Sequence, residues 1–406
     1  MKAIVLIIRG LQHSALGCYG NQWIYTPALD TLASAGAVFD QHFADNADPA
    51  GARRAWRSGR YYLPPNILAE SSSAQRDLLT VLQEKKIHSH LIIDESRSAP
   101  AEFLAGWHTV ERVRAAEEEV PLEATLERVG AALEKLERLD NWLLWVDLAT
   151  LLPPWSVPAE IQEAYFNEEP EDEEEDDEDE EMEESEPLTP ISDVATGPID
   201  RDDDYLYLSL QTSYAAMVSY VDTAIGQLLE ALDGLEGGDD ILFLLTTDTG
   251  QNLGEHGIVG TYRPWLHDEL IHLPLVIRVP GMDAGRRIAA LTQAVDLAPT
   301  LADWFHVPLT GVHGRSLLPL VRGEIESIRP FACTALQVGE SIEYALRTPE
   351  WAFLLPVKPG VDDADRSPQL FVKPDDRCEV NNVLQHHLEL AEQLERTLRD
   401  FVSASN

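Results

Sequence analysis

One carboxylate lies where a sheet protein would place a reactive group. In the stretch ILFLLTTDTGQNLGEHG, the apolar run Ile241–Leu245 shows no polar alternation and therefore predicts a buried strand. Thr246, Thr247 and Asp248 follow this run, and a glycine-rich polar loop comes next. Ligands of open α/β sheets collect beyond the carboxyl ends of the strands. Asp248 is therefore a candidate metal ligand or acid/base group, with the capping of a turn as the alternative.

A second pattern is a group of four arginines in an otherwise acidic chain. The segment Asp48–Gly59 predicts a loop that enters a short helix and ends at a glycine. A helix amino terminus after a loop binds anions, and arginine adds bidentate contacts. We therefore predict that Arg53 and Arg60 bind an anion. Arg54 and Arg57 are expected to be solvated or paired with carboxylates.

A third ionisable group follows the glycine-rich loop and consists of His256, His267, Asp268 and His272. Three histidines this close in sequence raise the alternative of a Zn²⁺ site. His267 and His272 are not at helical i,i+4 spacing, and metal ligands must meet a specific geometry. The zinc site is therefore the less favoured interpretation.

The elements that would position these residues alternate between strands and helices. Buried strands are predicted at Ala3–Ile8, His90–Asp94, Trp142–Val146, Ile241–Leu245 and Leu273–Val279. Helices are predicted at Pro27–Gly36, Leu78–Glu84, Leu122–Leu139, Tyr205–Leu235 and Asp296–Phe305. This alternation predicts an α/β fold with a doubly wound, mostly parallel sheet flanked by helices.

The end of the chain predicts a smaller unit. Three short strand patterns at Ala332–Leu336, Tyr344–Arg347 and Trp351–Leu355 are expected to form a small antiparallel sheet, and His387–Phe401 a closing helix. We therefore predict an α/β domain over residues 1–325 and a C-terminal α+β subdomain over residues 326–406.

The charge of the chain excludes several partners. The 406 residues carry a formal charge of −41, and 16 of the 19 residues from Glu168 to Glu186 are acidic. Phosphate binding needs clustered lysine and arginine, so nucleic acid and acidic membrane surfaces are not expected as partners. A like-charge block repels itself, which predicts an acidic disordered insert over residues 167–204. Such an insert is either a solvated spacer or an arm for a basic protein partner.

Cysteine and hydropathy suggest a cytoplasmic protein. Three widely spaced cysteines suggest neither a disulfide framework nor a metal knuckle. The opening MKAIVLII is short for a signal peptide, and no stretch approaches the roughly 20 apolar residues of a membrane span.

Nine segments are informative through their order along the chain: ALGCYGN, TPALDTLASAGAVFDQHFA, SGRY, SYAAMVSYVDTAIGQLLEAL, LLTTDTGQNLGEHG, LPLVIRVPG, QAVDLAPTLADWF, GRSLLPLVRGE and LFVKPDDRCEVNNV. In this order they resemble the sulfatase family of the alkaline phosphatase superfamily. The resemblance covers nearly the whole chain except the acidic insert. It implies hydrolysis of sulfate esters by a formylglycine, made from Cys or Ser in a C/S-x-P-x-R motif, beside a Ca²⁺ ion. Such an ion needs several oxygen ligands, and the nucleophile needs its charge stabilised.

The residues that would carry this chemistry depart from the family pattern. Counted back from Ser58-Gly59-Arg60, the motif arginine is Arg53 and the nucleophile position holds Pro49, which cannot become formylglycine. Asp48, beside it, is an alternative nucleophile only if the alignment slips.

The metal ligands implied by the resemblance are also mostly lost. The two acidic residues expected after the first strand are Arg9 and Gly10, and the second member of the pair after the central strand is Thr249. Asp248 is the lone remnant. Thr261 stands where relatives carry a lysine, and the family histidine has no match near Leu151–Pro153.

These departures favour a catalytically inactive sulfatase-like protein, a pseudoenzyme with no cofactor. Arg9 is expected to pair with Asp248 in the vacated metal position, because an unpaired buried charge is costly. Arg9, Arg53 and Arg60 would then bind a sulfate- or phosphate-like anion. The alternative is a divergent hydrolase of sulfate or phosphate esters that uses Ca²⁺ or another divalent ion at a rearranged site. A third hypothesis is a structural interaction protein whose crevice is closed even to sulfate.

Overall fold

The computed structural model describes residues 1–64, 76–95, 97, 99–114, 121–167, 187–235, 237–282, 285–358 and 366–405. The strands are β1 Lys2–Ile8, β2 Ala37–Phe43, β3 His88–Asp94, β4 Thr109–Val113, β5 Trp142–Leu148, β6 Gly197–Pro198, β7 Ile241–Thr246, β8 Ile258–Val259, β9 Leu275–Arg278, β10 Arg286–Gln293, β11 Ala332–Val338, β12 Ser341–Arg347, β13 Trp351–Lys358 and β14 Gln369–Val372. The α-helices are α1 Pro27–Ser34, α2 Pro49–Ser58, α3 Leu78–Glu84, α4 Ala101–Leu104, α5 Pro121–Leu136, α6 Ala159–Phe166, α7 Asp204–Asp233, α8 Asp268–Ile271, α9 Leu297–Trp304, α10 Leu318–Val321 and α11 Leu388–Ser405.

Eight strands form the central sheet, in the order β10-β2-β9-β7-β1-β5-β3-β4. Only β9 runs antiparallel to its neighbours among these described strands. The predicted mostly parallel sheet flanked by helices is confirmed. The strands β2, β4 and β10 were not predicted from the sequence. Polar residues interrupt β2 and two arginines open β10, so neither of these two strands shows a continuous apolar run.

Helices cover both faces of this sheet, as the strand pattern requires. Alternate residues of β1 belong to two separate cores: Ile4 and Leu6 pack on the side of α1, α5 and α7, whereas Val5 and Ile7 pack on the side of α2, α3 and α9. Because both faces are buried, the strand is apolar throughout rather than alternating.

The small C-terminal sheet is also confirmed, with strands β11 to β14 paired antiparallel in chain order. Helix α11 packs on it through Leu394 and Leu398. The small sheet joins the central sheet beyond β2, where the backbones of Asp45, Ala47 and Ala335 exchange hydrogen bonds. The domain boundary at residues 325 and 326 stays a prediction.

Part of the segment 167–204 predicted to be disordered, residues 168–186, lies outside the described residues. Residues 187–203 lie against α7: the Ile191 amide donates to Ser213 Oγ at 2.9 Å, and the short strand β6 pairs with β8. The predicted disorder therefore extends too far toward the carboxyl end. Among the described helices, none has the length and apolar character needed to cross a membrane.

Candidate functional site: a buried charge network

Three adjacent strands bring charged residues to one edge of the sheet. β7, β1 and β5 are neighbours with matched parallel register, so their carboxyl ends meet. Arg9 follows β1, Asp248 is the second residue after β7, and Asp147 is the penultimate residue of β5. The sheet thus places one guanidinium and two carboxylates where an α/β protein binds its ligand.

Helix α2 supplies the fourth charge. Asp48 caps it, accepting hydrogen bonds from the amides of Ala50 at 3.0 Å and Gly51 at 2.9 Å, and Pro49 occupies the first turn, where its missing N–H costs nothing. Because Asp48 already takes these two amides, they are not free for an outside anion. Arg53 lies one turn further, and its Nη1 donates back to the Pro49 carbonyl at 3.0 Å.

The four side chains form one continuous network. Asp248 Oδ2 accepts from Arg9 Nε at 3.0 Å and from Arg53 Nη1 at 2.9 Å. Arg53 Nη2 donates to Asp147 Oδ2 at 2.6 Å. The Thr249 amide donates to Asp248 Oδ1 at 2.9 Å, so both oxygens of this carboxylate are in use. The pairing of Arg9 with Asp248 that the sequence led us to expect is therefore present.

The network is shielded from water. Side-chain exposure is 1% for Arg53 and Asp147, 2% for Asp248 and 7% for Arg9. The Arg53 guanidinium lies 5.6 Å from the ring centroid of Trp56 and 5.5 Å from that of Phe103. With two guanidiniums and two ionised carboxylates the network is neutral, which offsets the cost of burying each charge.

Burial and ion pairing shift the pKa values of these groups in different directions. Burial acts to raise the pKa of Asp248, but Arg53 and Arg9 outweigh it, so the pKa lies below its usual value. Burial raises the pKa of Asp147, and Arg53 only partly opposes this. Burial disfavours the charged form of Arg53, yet Asp147 and Asp248 raise its pKa. Asp248 is therefore the firmly ionised carboxylate of the network.

The second position expected to hold a metal ligand is filled by another side chain. Gln251 Nε2 donates to the carbonyls of Gly10 at 2.8 Å and Leu151 at 2.9 Å. Gly10 has a φ of +79°, and a Cβ on it would lie 2.5 Å from Gln251 Nε2 and 2.9 Å from Leu152 Cδ2. A carboxylate at residue 10 would therefore require Gln251 to move.

Arg9 retains donors that the described residues do not use. Its Nε contacts Asp248, but its buried Nη1 has no hydrogen-bond partner among the described residues. Arg53 differs, since both of its terminal nitrogens are engaged with carboxylates. Of the predicted anion-binding arginines in this network, Arg9 is the one with a terminal nitrogen that no described residue contacts.

Arg60 lies beyond the other end of α2 from Pro49, and its predicted role in anion binding stays a prediction. It follows the end of α2, a helix of 10 residues, and so lies roughly 15 Å along the helix from Pro49. A Cβ on Gly311 would be 2.7 Å from Arg60 Nη2, and burial together with Arg60 lowers the pKa of His313. The helix therefore separates Arg60 from Arg9.

The other arginines of α2 contact carboxylates, as expected. Arg54 Nε donates to Glu102 at 3.0 Å, and Arg57 pairs with Asp77 and donates to the Glu102 carbonyl at 2.6 Å.

The histidine group forms a separate charged cluster. The rings of His256 and His267 stack with centroids 3.8 Å apart, and His267 Nδ1 bonds Glu379 at 2.8 Å. Burial lowers the pKa of His267 to about 4. Lys373 binds Asp268 at 2.7 Å. Among the described residues, no group of three or more His, Cys, Asp or Glu side chains could hold a metal ion.

Sequence reasoning missed Asp147 and Gln251. Asp147 ends an apolar run, just as Asp248 does, and the two strands lie on either side of β1. A search for every carboxylate at the end of a predicted parallel strand would have found it. Gln251 gave no such signal, because its position depends on how the loop after β7 folds back.

Comparisons with known proteins agree with this fold. The family sequence model described as Sulfatase matches residues 3–307. The chain belongs to the sulfatase family. Arylsulfatase K of Danio rerio is 28% identical over 201 residues, which cover 48% of this chain and 37% of that protein. Human iduronate 2-sulfatase is 25% identical over 386 residues, covering 74% of this chain and 68% of that protein.

A solved structure gives the same architecture. The protein BT4656, in complex with its substrate D-glucosamine-2-N,6-O-disulfate, superimposes with a TM-score of 0.79 at 18% identity, covering 100% of this chain and 98% of that one. At this identity the likeness shows the fold. The match to arylsulfatase K spans little more than a third of that protein.

Sulfatases typically use a divalent metal, and the residues present here do not fit one. Arg9 Nε and Arg53 Nη1 both contact Asp248 Oδ2, so two cationic groups bind the lone ligand oxygen that a metal would need. Gln251 blocks a carboxylate at residue 10. A hard divalent ion needs six or more oxygens, and the guanidiniums would repel it.

Proposed function

We propose that this sulfatase-family protein is non-catalytic and serves a binding or scaffolding role. The observation that carries the proposal is the charge network, in which Asp248 is bound by Arg9 and Arg53. In an active site of this family, a cation and a nucleophile would share this space. The guanidiniums supply the positive charge without offering a Lewis acid.

The nucleophile position supports the same proposal. Pro49 has no side-chain heteroatom, and its ring occupies the first turn of α2. Asp48, the alternative nucleophile, accepts two amide hydrogen bonds as the helix cap. A carboxylate held in this way is a weaker nucleophile, because its charge is already stabilised.

The crevice supports binding of a sulfate- or phosphate-like anion. Arg9 would contact it directly through Nη1, which has no partner among the described residues. Arg53 would act indirectly, by neutralising Asp147 and Asp248 so that the carboxylates do not repel the ligand. This assigns the anion to Arg9 and leaves Arg60 outside the site.

The acidic run from Glu168 to Glu186 supports a second binding role, toward a basic protein. Its charge density would attract lysine- and arginine-rich segments over a Debye length, about 8 Å at physiological salt.

The competing function is a divergent ester hydrolase that assembles a metal site elsewhere in the crevice.

Metal content and turnover distinguish the two functions. After dialysis against a chelator and then against Ca²⁺, Mg²⁺ or Mn²⁺, we expect no stoichiometric metal and no turnover of aryl sulfate or aryl phosphate. The Pro49→Cys variant is expected to be inactive too, because Gly51 still stands where the C/S-x-P-x-R motif has proline and because Arg9 and Gln251 still fill the metal position. The non-catalytic proposal would be contradicted if the wild type showed metal-dependent turnover and Asp248→Ala abolished it.

Thermal unfolding tests the anion. At ten times its dissociation constant, sulfate should add about 1.4 kcal/mol to the stability of the folded state. Chloride at equal ionic strength should not reproduce this shift. Arg9→Met should remove it, whereas Arg60→Met should retain it. A wild type indifferent to both sulfate and phosphate would instead favour the closed-crevice hypothesis.

A further inference from the structure

A cleft of about 410 Å³ lies at the end of the central sheet opposite the charge network, where β3, β4 and β5 begin. This amino-end cleft is lined by Gln83, Lys86, His88, His108, Leu139, Asp140 and Asn141. Backbone hydrogen bonds tie its loops together. The His88 amide donates to the Asn141 carbonyl at 3.1 Å. The His108 amide donates to the Ser89 carbonyl at 3.0 Å, so the side chains of the cleft project from a fixed main chain.

Lys86 adopts a backbone conformation that favours glycine. Its φ is +59°, and it follows the C-cap of α3, where the Ile87 amide donates to the Leu82 carbonyl at 3.0 Å. A lysine here is less stable than a glycine, because its Cβ crowds the backbone in the left-handed region. The exposed ammonium has no hydrogen-bond or ion-pair partner among the described residues, so no such contact offsets the strain. A strained residue of this kind is a candidate for function.

The His108 ring is held in the tautomer that donates from Nε2. Its Nδ1 accepts the Ser89 amide at 3.1 Å, so in the neutral ring the proton lies on Nε2. Among the described residues, nothing contacts Nε2. A metal ion needs a lone pair on nitrogen, and the free nitrogen of this ring carries a hydrogen instead. His108 is therefore a donor toward an acceptor such as an oxyanion.

The second imidazole of the cleft can take up a proton. The rings of His88 and His108 have centroids 5.1 Å apart, and burial together with His108 lowers the pKa of His88. An anion against both rings would oppose that shift and draw a proton onto His88. The ring of His90 lies 6.3 Å from that of His88, and its Nε2 is 3.1 Å from Glu111. Asp140 is the carboxylate that lines the cleft, and it opposes an anion.

We propose that the amino-end cleft binds a small inorganic oxyanion, sulfate or phosphate, through Lys86, His108 and His88. Lys86 supplies a full positive charge, and His108 supplies a donor whose position is fixed by Ser89. His88 becomes charged as the anion binds, so the affinity should rise as the pH falls. This site lies at the opposite end of the sheet from Arg9 and does not depend on the function proposed above.

Equilibrium dialysis with radiolabelled sulfate tests the cleft on the full chain. Sulfate keeps its charge between about pH 6 and about pH 8, whereas histidine titrates in that range. The Arg9 site needs no titrating group, so the wild type should bind one sulfate at the higher pH and a second at the lower pH. Lys86→Gly should bind the second sulfate about tenfold more weakly, because a charge-assisted contact is lost. Asp140→Asn should bind it about threefold more tightly.

Thermal unfolding separates this role of Lys86 from a structural one. Because glycine relieves the strain, Lys86→Gly should unfold at a temperature no lower than the wild type. His306→Gly is the matched control: His306 has a φ of +53° just after the C-cap of α9, where the Val307 amide donates to the Ala302 carbonyl at 2.9 Å. It relieves the same kind of strain and should bind both sulfates.

Three results would overturn the cleft: loss of the second sulfate in both glycine variants, its retention in both, or a wild type that gains no sulfate at the lower pH. Failure of the Arg9 site is distinguishable. It would remove the sulfate bound at the higher pH and leave the gain at the lower pH intact.

Discussion

Replacing Arg53 with methionine is expected to lower the free energy of unfolding by about 3–5 kcal/mol. The substitution leaves Asp147 without its hydrogen-bond partner and leaves Arg9 as the cationic partner of Asp248. Both carboxylates are buried, and breaking one side of a buried ion pair costs more than the pair itself contributes, because the remaining charge is unpaired. The aromatic rings of Trp56 and Phe103 would also lose the guanidinium between them.

Arg54→Met provides the matched control, one residue away on the same helix. Its partner Glu102 is 66% exposed, so its loss should cost less than about 1 kcal/mol. Urea unfolding followed by tryptophan fluorescence measures both variants. Equal losses for Arg53→Met and Arg54→Met would show that the charge network is not what stabilises this edge of the sheet.

On the non-catalytic proposal, the charge network allows a sulfatase fold without its metal ligands to remain folded. A lone Asp248 at 2% exposure would be costly to ionise, and the wild-type residues around it offer no second carboxylate in the former ligand positions. Arg9, which follows β1, supplies a positive charge that pairs with Asp248. On the same proposal, Arg9 both takes the position of the metal and stabilises Asp248.

Much of the fold was predictable because its signals are local. The apolar runs of β1, β5 and β7 predict buried parallel strands, and the helical spacing of apolar residues predicts the 30-residue helix α7. Strand β2 was missed because Asp40, Gln41 and His42 interrupt it. Asp40 is tolerated because it pairs with Arg287, and His42 because its ring contacts Thr292 at 2.9 Å.

The site was predictable only where two signals coincided. Arg9 and Asp248 each end a predicted strand, and family resemblance supplied the expectation that the two positions meet. The position of Arg60 could not be predicted from such signals, because it depends on the length and direction of α2. The position of Gln251 depends on how the loop after β7 folds back in the tertiary structure, which no local sequence pattern predicts.

Asp248→Asn is expected to destabilise the protein by about 3–5 kcal/mol, and by the same amount with EDTA as with Ca²⁺. The amide cannot neutralise Arg9 and Arg53, which then share Asp147 as the remaining carboxylate of the network. A metalloenzyme behaves differently: Ca²⁺ stabilises the wild type, and the variant loses that stabilisation while changing little in EDTA.

A double-mutant cycle decides whether Arg9 has taken the place of the cation. Arg9→Met alone should cost less than Asp248→Asn, because Asp248 keeps its 2.9 Å contact with Arg53. Combining the two substitutions should cost less than the sum of the single losses, with a coupling of about 1–3 kcal/mol, because Arg9 no longer needs a partner once it is removed. Strict additivity would mean that the two side chains do not stabilise each other. Asp248 would then owe its ionised state to Arg53 alone, and Arg9 would be no replacement for a metal.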